Sequence, residues 1–180
     1  MKAVVFVDVQ NDFVKGGKLG FGYPEADNLP KIVEFANECV NSNDCKIYAT
    51  RDTHSKSYLS STLEGKNLPM QHCIEETEGW MVADSLMDVV LGHATFIDKP
   101  TFGSYDLVEV LEEDFGKDGP DEIIICGYDL SICVLANAVM LRAKFPDKKI
   151  MVKLSLCGDV DKEAFDAAAK TLSMQMVETI

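Results

Sequence analysis

Three groups of residues in this 180-residue chain have the types and spacing to do chemistry. The first centres on Cys133. It follows an apolar, β-branched run from Asp121 to Cys126 and a glycine, Gly127. From Ser131 onward the apolar residues Ile132, Leu135, Ala136, Val139 and Met140 recur at helical spacing. The segment therefore reads as strand, turn, helix, with the thiol in the first helical turn. Unpaired backbone N–H groups there make a positive field. Such a field stabilises a thiolate and lowers a cysteine pKa from about 8.5 into the range of roughly 3.5–7.5. A free cysteine is also commonly a small buried apolar residue, so other residues must decide between the two.

The second group supplies what a cysteine nucleophile needs, a partner for its proton. No histidine lies close in sequence to Cys133. Asp8 ends the apolar run Ala3 to Val7, where burial raises a carboxyl pKa and suits it to accept a proton. Lys99 ends a short run from Ala94 to Asp98 and would act as a fixed cation. Asp8, Lys99 and Cys133 form a coherent set for acyl transfer. The turn from Gly127 to Ile132 would present backbone amides to a developing oxyanion.

The third group is Asp52-Thr53-His54 with His72. Alternate residues of an extended segment point the same way, so Asp52 and His54 can share a metal, and His72 completes a three-ligand site. Two imidazoles and a carboxylate suit zinc, and also iron or manganese. Taken singly, each of these residues has a plainer reading: a strand-end Asp as a cap, a lone Lys as a solvated charge, a loop His as a hydrogen-bonded side chain. His93 has no partner nearby in sequence and reads as structural.

The elements that must hold these groups alternate. Strands are expected at Ala3–Val7, Cys45–Thr50, Ala94–Asp98, Asp121–Cys126, Lys149–Leu154 and Met174–Val177. Helices are expected at Leu29–Asn41, with Asp27 or Asn28 as cap and Pro30 in its first turn, then at Val82–Val90, Ser104–Phe115, the segment after Ser131, and Lys162–Leu172. Ser55 to Trp80 shows no periodicity and reads as a long functional loop. This alternation predicts an α/β domain with a mainly parallel sheet. In such sheets ligands bind beyond the carboxyl ends of the strands, where all three groups fall.

Bulk properties narrow the function. The length predicts one domain over residues 1–180. A net charge of −13 argues against nucleic acid and anionic membranes as partners. The N-terminal apolar run is broken by Asp8 and is neither a signal peptide nor a membrane span. Six cysteines without paired spacing point to a reducing, cytoplasmic setting rather than a disulfide framework.

VVFVDVQNDFVKGG at positions 4–17, RDTH at 51–54, LPMQHC at 68–73, KPTFGSYD at 99–106 and CGYDLSICVLANA at 126–138 resemble the isochorismatase-like cysteine hydrolase superfamily, and within it the nicotinamidase branch. The resemblance implies a three-layer α/β/α fold with a six-stranded, mainly parallel sheet of Rossmann-like type. It implies Asp8, Lys99 and Cys133 as catalytic triad, with Asp52, His54 and His72 as metal ligands, most simply for Zn2+, with Fe2+ or Mn2+ as alternatives. It further implies a cis peptide at Tyr128–Asp129, an oxyanion hole from the Asp129 and Cys133 amides, and substrate contacts from Phe13 and Tyr128. The implied activity is hydrolysis of nicotinamide, a small-molecule amide, through a Cys133 thioester, by a homo-oligomer. Alternatives are another small amide or an N-carbamoyl compound as substrate, or a catalytically silent module on this fold.

The chain also departs from the family pattern. No further histidine follows His54 before Gln71, and Asn67 to Met70 stand where a tryptophan is often found. Asp129 and Leu130 replace smaller or threonine-like residues before the nucleophile.

Overall fold

The apolar strand-forming runs pair into one sheet. In the computed structural model, which covers residues 1–180, six strands run parallel. They are β1 (Lys2–Val7), β2 (Cys45–Asp52), β3 (Ala94–Lys99), β4 (Glu122–Gly127), β5 (Lys149–Cys157) and β6 (Glu178–Thr179), in the order β3-β2-β1-β4-β5-β6. β1 lies in the middle, and Val4, Val5, Phe6 and Val7 are buried on both of its faces, as continuous apolar strands of parallel sheets are. The first crossovers run outward from β1 to β3 and the later ones from β4 to β6. Right-handed connections therefore place the helices on two faces. α1 (Leu29–Val40) packs on α4 (Asp84–Val90), whereas α5 (Tyr105–Phe115), α6 (Leu135–Lys144) and α7 (Lys162–Met174) pack in sequence on the opposite face. The result is the expected three-layer α/β/α architecture.

The strand order reverses between β1 and β4, whose carboxyl ends lie side by side with Val7 opposite Gly127. Only glycine fits there. Gly127 has φ +128°, and a Cβ on it would lie 2.0 Å from the Val7 carbonyl oxygen. The next residue of β1's chain, Asp8, has φ +50°. A non-glycine residue in that left-handed region carries a strain of about 1–3 kcal/mol, a cost met mostly at functional sites.

Several sequence expectations need correction. Ser55–Trp80 is not a structureless loop: it folds into α2 (Tyr58–Ser61), α3 (Leu63–Asn67) and a 3-10 turn at Glu78–Trp80. Helices of four and five residues are too short to leave a readable period. The segment after Ser131 begins as a π turn, Leu130–Val134, before α6 starts at Leu135. Met174–Val177 is not a strand; α7 runs on to Met174, the chain reverses through Met176 at φ +59°, and the short β6 follows. At α1, Asp27 does accept the Leu29 N–H, but the Asn28 side chain accepts from the Tyr128 hydroxyl instead of capping. No helix is long and apolar enough to cross a membrane.

Candidate active site

Four strand ends deliver the site. Asp8 follows β1 and is fully buried. Its amide is held by the Thr50 carbonyl, and the Thr50 hydroxyl donates to Asp8 Oδ1 at 2.7 Å. Lys99, the last residue of β3, sends its Nζ to 2.7 Å from Asp8 Oδ2. The same ammonium lies 3.4 Å from Asp52 Oδ1 and 3.5 Å from Cys133 Sγ, and donates to the Thr101 carbonyl at 3.0 Å. The structure thus brings Asp8, Lys99 and Cys133 together as expected, with Lys99 as the shared neighbour.

Burial and charge set the protonation of this group. Burial pushes Asp8 upward, and Lys99 only partly opposes it. Burial also pulls on Lys99, but Asp8, Cys133 and Asp52 outweigh it and hold the ammonium charged. Burial drives the Cys133 thiol well above its usual value, and the pull of Lys99 is offset by Asp8 and Asp52. The positive field of a helix start does not yield a preformed thiolate here. The nearer carboxylate, at 2.7 Å rather than 3.5 Å, takes most of the benefit of the cation.

Cys133 sits in the π turn, whose first amides are engaged. The Asp129 carbonyl accepts from Ile132 and Val134, and the Leu130 amide donates to the Gly158 carbonyl. Asp159, fully buried beyond β5, accepts the Ser131 amide and hydroxyl, each at 2.8 Å. Asn137 ties the other side: its amide group donates to the Cys133 and Phe102 carbonyls, and its oxygen accepts the Ser104 N–H. Tyr128–Asp129 is a cis peptide bond.

Beside the triad lies a candidate metal centre. Asp52, His54 and His72 converge as expected, and Glu64 from α3 joins them, with one ligand atom from each residue within 4.8 Å of the others. His54 Nε2 and His72 Nε2 lie 2.8 Å and 3.2 Å from Asp52 Oδ2, and 3.6 Å and 3.8 Å from Glu64 Oε1. The Met70 carbonyl sits 2.9 Å from His72 Nδ1. A donor Nδ1–H there leaves Nε2 free to ligate, the usual outer partner of a metal-bound histidine. Burial pushes Asp52 upward, but the adjoining His54 and His72 imidazoles and the charge of Lys99 prevail and hold it well below the usual carboxylate range. Gln10, fully buried, clamps the Asp52 backbone: its side-chain oxygen accepts the Asp52 N–H at 2.7 Å and its amide group donates to the Asp52 carbonyl.

A cavity of about 150 Å³ opens between the two centres. Phe13, Leu19, Leu68, Phe102, Ile132 and Val160 form its apolar walls, and Cys133, Asp129, Asp52, Glu64 and His72 its polar ones. Apolar cavities of this size take one benzene-sized ring. Phe13 is where the resemblance puts a ring contact, and it also packs edge-on against His72, with centroids 5.6 Å apart. Tyr128 is not on the cavity wall. It is fully buried, stacks on Phe21 at 4.9 Å and donates to Asn28, so its side chain belongs to the core. Trp80 is also elsewhere, donating to the Thr53 hydroxyl under the Arg51 guanidinium. His93 is exposed and apart from the site.

Sequence reasoning missed Glu64, Gln10, Asn137 and Asp159. Glu64 had a signal, a carboxylate between His54 and His72 where a further histidine was sought. Gln10 and Asn137 act through backbone groups, Asp159 through the Ser131 amide and hydroxyl, and all three left none.

The family model of the isochorismatase domain matches residues 2–180. The chain belongs to the isochorismatase family. A nicotinamidase of Saccharomyces cerevisiae is 27% identical over 180 aligned positions, spanning 77% of this chain and 80% of the relative. A nicotinamidase of Schizosaccharomyces pombe is 28% identical, spanning 78% of this chain and 76% of its own. Among solved structures, the nicotinamidase/pyrazinamidase of Bacillus subtilis superposes with a TM-score of 0.85 at 21% identity, covering 99% of this chain and 98% of the other. The pyrazinamidase of Pyrococcus horikoshii in complex with zinc gives 0.83 at 22% identity, with the same coverage. These likenesses establish the isochorismatase-like fold.

Proposed function

We propose that the protein is a metal-containing nicotinamidase, converting nicotinamide and water to nicotinate and ammonia through a thioester on Cys133. One observation carries the reading. The Lys99 ammonium touches Asp8, Asp52 and Cys133 at once, joining a nucleophile and its base to a metal centre beside a cavity sized for one ring. The names of the family relatives, nicotinamidases in both yeasts, support it.

The residues of the second centre fit a divalent ion. Glu64 Oε2 is buried without a hydrogen-bond partner, and two imidazoles with two carboxylates suit zinc, iron or manganese. Asp52, His54, Glu64 and His72 would hold the ion, most simply Zn2+, which supplies a Lewis-acid anchor for the pyridine nitrogen when bound.

The chain's own residues account for the covalent steps. Phe13 and the apolar walls hold the ring. Asp8 takes the proton of the Cys133 thiol as Sγ attacks the carboxamide carbon, so charge passes from carboxylate to the developing tetrahedral oxygen. The Asp129 and Cys133 amides receive that oxyanion. Asp8 returns the proton to the leaving nitrogen, ammonia departs, and a thioester remains. Asp8 then takes a proton from water as it attacks the thioester, and gives it back to Sγ as nicotinate leaves. Lys99 stays protonated throughout and holds Asp8 in place. The free cysteines fit a cytoplasmic setting, where the reaction would serve NAD salvage.

Ammonia release from nicotinamide tests this directly, measured on the protein as purified, after chelation, and after adding back zinc, iron(II) or manganese(II). Release that falls on chelation and returns with one of these ions is expected. Full activity without metal would remove the role of the four ligands, and no release under any condition would remove the function.

A further inference from the structure

The cavity wall carries three carboxylates, Asp52, Glu64 and Asp129. The first two belong to the metal centre. Asp129 has no use in the steps above beyond its backbone amide. The residue is 7% exposed, and its Oδ1 is sealed from solvent without a hydrogen-bond partner. No cation of the chain pairs with it. Lys99 is engaged by Asp8 and Asp52, and the nearby His72 imidazole by Asp52. Asp159 adds negative charge close by and cannot donate, because its own oxygens already accept from Ser131 and Val160.

A buried carboxylate left without a donor is costly. Groups held at such a cost gather where a ligand completes them. The scissile carboxamide does not complete this one. Its oxygen is matched by the Asp129 and Cys133 amides and its nitrogen by Asp8. The donor Asp129 lacks must come from another part of the substrate.

Building on the amidase reading above, we infer that Asp129 is a specificity-determining residue whose carboxylate accepts a hydrogen bond from a second donor on the substrate. The preferred substrates are then small aromatic amides that also bear an amino group or another N–H or O–H donor. Unsubstituted amides are accepted but leave Asp129 unpaired, and amides bearing an extra anionic group are rejected.

The test compares nicotinamide with its 2-, 4- and 6-amino derivatives in the metal-loaded protein and in Asp129→Ala and Asp129→Asn. It is run at pH 8, where Asp129 is ionised. The expected result is a kcat/KM at least about tenfold higher for one amino derivative than for nicotinamide, the size of a hydrogen bond to an ionised acceptor. Asp129→Ala should erase that preference, whatever its effect on the absolute rate, while its melting temperature stays level or rises, because an unpartnered charge has been removed. A ratio unchanged by both substitutions, or no derivative preferred by the native protein, would overturn the inference while leaving nicotinamide hydrolysis intact. The same ratio measured as Kd in Cys133→Ala protein separates the two readings. A preference for an amino derivative that vanishes in Cys133→Ala/Asp129→Ala upholds the role of Asp129 even if the native protein releases no ammonia.

Discussion

Lys99 offers one ammonium to two carboxylates and a thiol, and the distances decide how it is shared. Asp8 at 2.7 Å is favoured over Cys133 at 3.5 Å, so the resting thiol keeps its proton, as the proposed role of Asp8 as base requires. Asp129 is the contrasting case, a carboxylate that no cation pairs and that only His72 draws downward. Burial, then Asp159 and Asp8, raise its pKa from 3.8 to about 7. The folded protein thus binds the Asp129 proton more tightly than the unfolded chain does. Its contribution to stability is fully present below about pH 4 and is lost as pH rises through about 7, by at most roughly 4 kcal/mol. Asp129→Asn lacks this slope. Urea unfolding should find the variant and the native protein separated by a near-constant difference below pH 4, with the variant gaining a few kcal/mol relative to it by pH 8. A difference that stays flat across this range would show that Asp129 has its ordinary pKa. At this scale the sequence was readable where a residue closes a strand, as Asp8, Asp52 and Lys99 do. It was misleading at Tyr128, whose side chain stacks on Phe21 and lies off the cavity wall.

The elements divide by length in how far they could be foreseen. The central strands and long helices carry repeated apolar positions, and most of their limits shift by only a residue or two between expectation and structure, although β5 runs three residues past Leu154 and α6 starts four residues after Ser131. The pieces that finish the site are shorter. α3 has five residues, is capped by Thr62 accepting the Gly65 N–H at 2.9 Å, and carries Glu64 to the candidate metal centre. The π turn places Cys133 one residue off the α-helical phase that the sequence suggests. Short elements like these are set by tertiary contacts rather than by their own periodicity. If α3 presents a ligand, Glu64→Ala should weaken zinc by at least about tenfold in a competition titration with a chromophoric chelator, the scale on which losses even of outer-shell partners act. Unchanged affinity would place Glu64 outside the metal centre.

Across the whole molecule, function follows from the point where strand order reverses. The carboxyl ends of β1 and β4 meet there, where open α/β sheets bind their ligands. β2 and β3 end in register beside them, with Asp52 opposite Lys99. The four strand ends are therefore neighbours although they come from residues 8 to 127 of the chain. The sheet order itself was not legible in the sequence, since periodicity identifies strands and not their neighbours; the motif resemblance supplied the architecture. The acidic surface, at net charge −13, does not enter the chemistry, which takes place beside a buried ammonium.

In the proposed reaction Cys133 forms an acyl intermediate with the carboxamide substrate. Metal-loaded protein mixed with excess nicotinamide, quenched in acid within milliseconds to seconds and measured as intact mass, tests it most directly. A species heavier by one nicotinoyl group is expected, located on Cys133 by peptide mapping and missing from Cys133→Ala protein that remains folded. Ammonia release at an undiminished rate by Cys133→Ala would contradict it.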